Sequence, residues 1–351
     1  MRTVVLVGAG ATLAEALPAR PSRDQLPPLD ATFFELCRLA RLAGRETVQS
    51  YMEDHFGIDP FNRGNTMEEV FNLLYSDVFS DSPPEDAFDA YWALVSMYAA
   101  AIARTTNDLR GTTRNGIGAV LRALWRRNQP ELTFITFNQD LVIENAIEEA
   151  KLTATYSQIP WDFQTCYEVD FGGFLYSAYE PTFLPRDEES IRLLKLHGSL
   201  NWFYKARSSE DAKNSIRAPR GRIHCLANRR ILSGLRTRSG KKLVHLLPLV
   251  VPPIYEKGPL YRQQIGGLWT SARSALERAD ELIVFGYSFP DADYGARSLL
   301  RGAFHQNPNV RTVTIIDISA SVGSRVADLL DVETVHFYRN AAAFVRDQSV
   351  A

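Results

Sequence analysis

The sequence is poor in cysteine: Cys37, Cys166 and Cys225 are the only three in 351 residues, far apart and without a Cys-x-x-Cys pair. An odd, scattered set builds neither a disulfide framework nor a four-cysteine zinc module, and it fits a reducing, cytoplasmic setting. Long apolar runs are also missing. The opening segment Met1–Gly8 is too short for the core of a signal peptide, and no stretch approaches the roughly 20 apolar residues that cross a bilayer. A soluble chain is expected. Charge of one sign is missing too: 39 Lys and Arg face 41 Asp and Glu, a net charge of -2. That balance excludes a strongly basic nucleic-acid surface spread over the whole protein, and the basic run Arg217–Lys242 reads as a solvated loop. With 45% hydrophobic residues, the chain has the apolar content for one large domain or two unequal ones.

What is present is an alternation. Val4–Val7 is a short, mostly β-branched run ending in Gly8-Ala9-Gly10, the pattern of a strand buried on both faces. Pro18, Pro21, Pro27 and Pro28 then leave space for at most a short helix. The stretch from about Ala31 to Arg127 carries apolar residues at helical spacing over Ala31–Ala43, Thr66–Phe79, Asp86–Arg104 and Gly116–Arg126. It reads as a helical subdomain, residues 45–128, inserted into a sheet domain of residues 1–44 and 129–351. β signals return at Leu132–Phe137 and Leu193–Leu196, with short strands at Trp202–Tyr204 and Leu246–Val251. The last hundred residues alternate strand and helix: strands at Leu282–Phe285, Val313–Asp317 and Thr334–Phe337, helices at Leu268–Arg278, Tyr294–His305 and Ala320–Leu330. Such alternation predicts an α/β fold, a Rossmann-like doubly wound parallel sheet.

In sheets of this kind ligands sit just outside the carboxyl ends of the strands, so the residues following each apolar run are the candidates. Gly8-Ala9-Gly10 permits a tight turn and close approach to a pyrophosphate, although Leu13 stands where the usual fingerprint has its third glycine. Asn138 and Asp140 follow the second strand and can hold a water, a sugar hydroxyl or an amide, or can simply cap the next helix. His197 ends the apolar run Leu193–Leu196 and precedes Gly198; an imidazole there can take a proton near neutral pH. Gly286 and Ser288 offer small contacts to phosphate or ribose, and Asp317 a carboxylate for ribose hydroxyls, with helix capping the alternative for both. His55, His224, His245, His305 and His336 read as ordinary structural histidines.

Together these phrases resemble the sirtuin superfamily, and more closely its bacterial sirtuin-like NAD hydrolases of antiphage defence. Gly8-Ala9-Gly10-Ala11-Thr12, with Pro18 after it, is similar to the family's opening Gly-Ala-Gly-Ile-Ser and Ile-Pro. Thr136-Phe137-Asn138-Gln139-Asp140 resembles Thr-Gln-Asn-Ile-Asp, Leu196-His197-Gly198 the catalytic Leu-His-Gly, and Gly286-Tyr287-Ser288 Gly-Thr-Ser. The longer phrases Leu196–Trp202 and Phe285–Phe289 look like the defence branch. Asp317 stands where sirtuins carry Asn, Ala16 replaces a glycine, and Ala19-Arg20-Pro21 replaces Asp-Phe-Arg; with no zinc module, these departures count against an acyl-lysine channel.

The resemblance implies hydrolysis of NAD, the substrate, to nicotinamide and ADP-ribose without a metal. It implies Asn138 orienting water and ribose, His197 as general base and Asp140 holding the carboxamide. Gly8, Ala9, Gly10, Thr12, Pro18, Gly286, Ser288 and Asp317 would contact the rest of the dinucleotide. It further implies a homo-oligomer restrained until triggered, and a separately encoded ring-forming ATPase of the DNA-translocase type as partner. A protein deacylase, a non-catalytic NAD or ADP-ribose sensor and a dehydrogenase are the alternatives.

Overall fold

The computed structural model describes residues 1–19, 22–62, 64–127, 131–159, 161, 166–175, 191–206, 208, 211, 222–226, 236–239, 242–250, 259–290, 293–332 and 334–348. Pro21, most of the basic run from Arg217 and Val251 lie outside the described residues. Eleven strands are present among them: β1 (Arg2–Val7), β2 (Glu131–Thr136), β3 (Phe174–Leu175), β4 (Arg192–Lys195), β5 (Gly198–Ala206), β6 (His224–Leu226), β7 (Arg236–Ser239), β8 (Lys242–Val250), β9 (Glu281–Phe285), β10 (Thr312–Ile316) and β11 (Thr334–Tyr338). The helices are α1 (Ala9–Ala16), α2 (Phe33–Leu39), α3 (Arg45–Phe56), α4 (Met67–Val78), α5 (Ala87–Thr106), α6 (Ile117–Arg126), α7 (Val142–Lys151), α8 (Pro259–Arg278), α9 (Tyr294–His305), α10 (Ala320–Leu330) and α11 (Ala341–Gln348).

Six strands form one sheet in the order β11-β10-β9-β1-β2-β4, and every pairing in it is parallel. Numbered by their appearance along the chain, its strands lie 3-2-1-4-5-6, the Rossmann order. The order reverses between β1 and β9, so the crevice for a ligand opens there. The β-branched cores of these strands explain the arrangement: Val4 to Val7 are all buried, as are Leu282 to Phe285, which only a sheet covered on both faces allows. Register then sets the functional edge. Val7 pairs with Thr136 and with Phe285, Phe285 with Ile316, Thr136 with Lys195, and Ile316 with Tyr338. The loops starting at residues 8, 137, 196, 286, 317 and 339 therefore leave the sheet side by side.

A second sheet of five strands, in the order β3-β6-β5-β8-β7, was legible only as isolated short strands. β5 runs antiparallel to both β6 and β8, with its register shifted between Ser199 and Phe203. It buries Trp202 edge-on against Tyr167, with ring centroids 5.1 Å apart. Because β5 follows β4 after only Leu196 and His197, the two sheets hold the His197 turn from both ends.

The described helices between β1 and β2 divide by what they bury. A separate apolar cluster contains Phe33, Leu36, Met52, Phe71, Leu74 and Leu94, from α2 to α5, whereas Ile117, Val120 and Leu124 of α6 belong to the core of the large sheet. A small third cluster joins the two: Ala99, Ile102 and Ala103 of α5 pack on Leu141 and Leu200. No helix among the described residues is long and apolar enough to cross a membrane.

Candidate active site

The six loops border one cavity of about 720 Å³, within the range that small-molecule sites occupy. Ala9, Gly10, Thr12, Asn138, Asp140, His197, Gly286, Ser288 and Asp317 all line it. Two expected residues are placed differently. Gly8 stands just behind the wall, its carbonyl accepting from Asn138 Nδ2 at 2.9 Å. Pro18 is exposed on the short turn Leu17–Ala19 and is not part of the lining; its neighbour Leu17 is.

The first two loops are wired to each other. The Thr12 hydroxyl donates to Asp140 Oδ2 at 2.7 Å and accepts from Asn138 Nδ2 at 3.1 Å. Asn138 Nδ2 thus serves Gly8 and Thr12, while Asn138 N donates to Thr136 Oγ1 at 3.0 Å. That assignment leaves the amide oxygen, an acceptor, as the side-chain atom for a ligand in the cavity that Asn138 lines. Asp140 is partly the capping residue that its type suggests: Oδ1 accepts the N–H of Val142 at 2.9 Å at the start of α7. A carboxylate has about four acceptor sites, so these two bonds leave capacity for a ligand.

Beneath the Asp140 loop lies a buried ion pair that the sequence reading passed over. Lys195 Nζ donates to the Asp140 carbonyl and sits 2.7 Å from Glu144 Oε1, the two side chains only 1% and 3% exposed. Tyr167 donates to the same carboxylate oxygen at 2.6 Å. A lysine in the apolar run Leu193–Leu196 was the available signal, since a fully buried lysine requires a partner.

The glycine positions answer to packing between loops. Gly10 N donates to Gly286 O at 2.9 Å, and Gly286 N to Ile316 O at 3.0 Å. Gly286 has φ +62, and a Cβ there would lie 2.2 Å from Ala11 N. Only glycine fits that close approach and that backbone. Gly198 is similar, with φ +76 and Leu249 O at 2.1 Å from where a Cβ would sit; it is what lets His197 turn from one sheet to the other. Closing the β1 and β9 loops this tightly leaves the N-terminal turn of α1 at the switch point, where its N–H groups favour an anion.

His197 lies in an aromatic niche. Phe137 meets it edge-on at 5.0 Å between ring centroids, and Trp269 of α8 tilts against it at 6.4 Å. Its carbonyl accepts from Gln139 Nε2 at 3.1 Å, and the Leu196 carbonyl from Trp269 Nε1 at 3.1 Å. Asp293 Oδ1 stands 3.9 Å from His197 Nε2. Tyr287, stacked on Phe137 at 5.0 Å, donates its hydroxyl to Asp293 Oδ2 at 2.7 Å. Burial, reinforced by Asp293, pushes the Tyr287 phenol well above its ordinary range.

Toward the far end, Asp317 is half-buried, and burial raises its carboxyl above the ordinary 3.8 despite the N–H groups of Ser319 and Ile318. Arg325, which donates to the Ser288 carbonyl, and Arg339 and Asn340 after β11 line this end. The opposite wall comes from residues 27–31 with Met67, Glu68, Tyr98 and Ile102. Asp30 accepts the N–H of Glu68 at 2.8 Å, and burial raises its carboxyl. Burial, then the charge of Asp140, raises the Tyr98 phenol.

No family model and no curated protein matches the chain. Among solved structures it is similar to sirtuins. A Sir2 homologue variant with ADP-ribose has 15% identity and a TM-score of 0.45 over 99% of this chain and 90% of that one. A second Sir2 homologue variant with ADP-ribose has 14% and 0.44 over 99% and 90%. Sir2 with an inhibitor, 2'-O-acetyl-ADP-ribose and a deacetylated p53 peptide has 13% and 0.37 over 99% and 91%. At such identities the strand order and register are what define the fold.

Proposed function

We propose that this chain is an NAD hydrolase that cleaves the nicotinamide–ribose bond, an effector of the antiphage-defence type. The observation that carries the reading is the convergence of Asn138, Asp140 and His197 on one cavity, beside the glycine-closed N-terminus of α1. The cavity suits a dinucleotide in size, and Asp317 and the α1 terminus suit ribose hydroxyls and a pyrophosphate in chemistry.

Nicotinamide leaves as a neutral molecule, so the barrier lies in positive charge developing on the ribose, and the site acts by positioning and by electrostatics. Asn138, its Nδ2 anchored to Gly8 and Thr12, presents its carbonyl to the attacking water. His197 accepts the proton that water gives up as the new carbon–oxygen bond forms and the carbon–nitrogen bond electrons go to nicotinamide. Asp140, held by Thr12, receives the carboxamide. Residues 1–44 with 129–351 would form the NAD-binding domain and 45–128 the insertion, with α2 packed on the insertion's cluster and α6 on the core of the sheet. Restraint by self-association, and release by a separately encoded ring-forming ATPase of the DNA-translocase type, complete the proposal.

The test is incubation of the purified chain with NAD, alone and with the product of the adjacent gene, with products separated by chromatography. Equimolar nicotinamide and ADP-ribose are expected. NAD that binds and stays intact would make this a sensor, and nicotinamide formed only with an acetylated peptide would make it a deacylase. Size-exclusion chromatography of the same mixtures checks assembly; a monomer under every condition refutes that part.

A further inference from the structure

Asp293 follows the β9 loop and caps α9, its Oδ1 accepting the N–H of Ala296 at 3.4 Å. A cap of that kind is ordinarily solvated. This one is about 10% exposed, lines the cavity and stands 3.9 Å from His197 Nε2. The Tyr287 hydroxyl at 2.7 Å fixes its other oxygen. That separation exceeds a hydrogen bond to a neutral imidazole but is a close ion pair once the ring carries a proton.

We propose that Asp293 is the positioning residue of His197: held by Tyr287, it orients the imidazole and stabilises the imidazolium formed when His197 takes a proton. The inference rests on the reading of this cavity as one in which His197 is a base. Among the described residues, Asp293 is the charge within 4 Å of the imidazole; Arg297, in the first turn of α9, acts on the Tyr287 phenol in the opposite sense to Asp293. Phe137 and Trp269, the rings against His197, are neutral. Tyr287 stays protonated through burial and Asp293. Asp140 is engaged by Thr12 and Val142, and Lys195 is paired with Glu144. Within the low-dielectric niche an opposite charge at this range shifts a titration by about 1–3 pH units.

Asp293→Asn removes the charge while keeping an acceptor for Ala296 N and turning an N–H donor toward the Tyr287 hydroxyl oxygen, and Asp293→Ser is a second uncharged residue that caps helices well. The experiment follows the six histidine imidazoles by NMR as pH is varied without NAD, the His197 signal being identified by its loss in His197→Gln. In both Asp293 variants the His197 midpoint should fall by about 1–3 units while the other five stay in place. Tyr287→Phe, which keeps the charge and loosens it, should move the midpoint less. In parallel, the acidic limb of kcat/KM for nicotinamide release should fall by the same amount. An unchanged His197 midpoint in a folded variant overturns the inference. A shifted midpoint in a protein that never releases nicotinamide overturns the hydrolase reading instead.

Discussion

On its sheet side the cavity is bounded by loops hydrogen-bonded to one another, whereas on its helical side it is bounded by side chains whose backing is a separate apolar core. Thr12 after β1 is bonded to Asn138 and Asp140 after β2, and Gly10 after β1 to Gly286 after β9. Met67 and Tyr98 take their positions from the cluster around Phe33 and Phe71, and Asp30 takes its own from the backbone of Glu68 at the start of α4. A wall of loops bonded to one another suits chemistry that depends on fixed positions. The two meet where α5 packs on Leu141 and Leu200, immediately beside the Asp140 and His197 turns.

The contrast breaks most visibly at Lys195. Lys195→Met strands the Glu144 carboxylate in the interior, and breaking one side of such a pair costs about 3–5 kcal/mol. Urea unfolding should show that loss, together with reduced nicotinamide release through the Asp140 loop; a loss below about 1 kcal/mol would mean that Glu144 is not held by charge. Next comes Gly286→Ala, which puts a methyl against Ala11 N in a left-handed backbone. Crowding and conformation together cost about 2–4 kcal/mol, read by chemical denaturation.

Leu29→Ala sharpens the comparison from the other wall. Leu29 lines the cavity and is 39% exposed, so unfolding should stay within about 0.5 kcal/mol of the parent. KM for NAD should rise with kcat unchanged; a fall in kcat alone would give the helical wall a part in the chemistry. The smallest effect is at Asp317. Burial holds its carboxyl above 3.8, so folding is penalised once pH exceeds 3.8 and the unfolded chain ionises, and the penalty persists at neutral pH. Without NAD, Asp317→Asn should therefore gain roughly 0.5 kcal/mol or less near pH 7, the gain vanishing as pH falls through 3.8. A loss at pH 7 would contradict that sign.

The parallel sheet was readable because each strand is a local apolar run and each crossover helix carries its own period. α9 and α10 have the expected limits, Tyr294–His305 and Ala320–Leu330. The carboxyl-end rule then carried Asn138, His197, Gly286 and Asp317 to one edge. The second sheet was not readable as a sheet, because β5 pairs with β6 and β8 across long intervals and no local pattern records such a pairing. Helix α3 was absorbed into a general helical reading of its region. Asp293 was hidden for another reason: a cap before a helix looks the same in sequence whether it faces water or an imidazole. Arg339 and Asn340 follow a strand whose loop was not considered.

The central claim is most directly tested by initial rates of nicotinamide release from NAD, comparing the parent chain with Asn138→Ala at matched circular dichroism. The account predicts a loss of more than about 100-fold, the scale of removing one positioned group, with folding unaltered. Equal rates from the two proteins would contradict it.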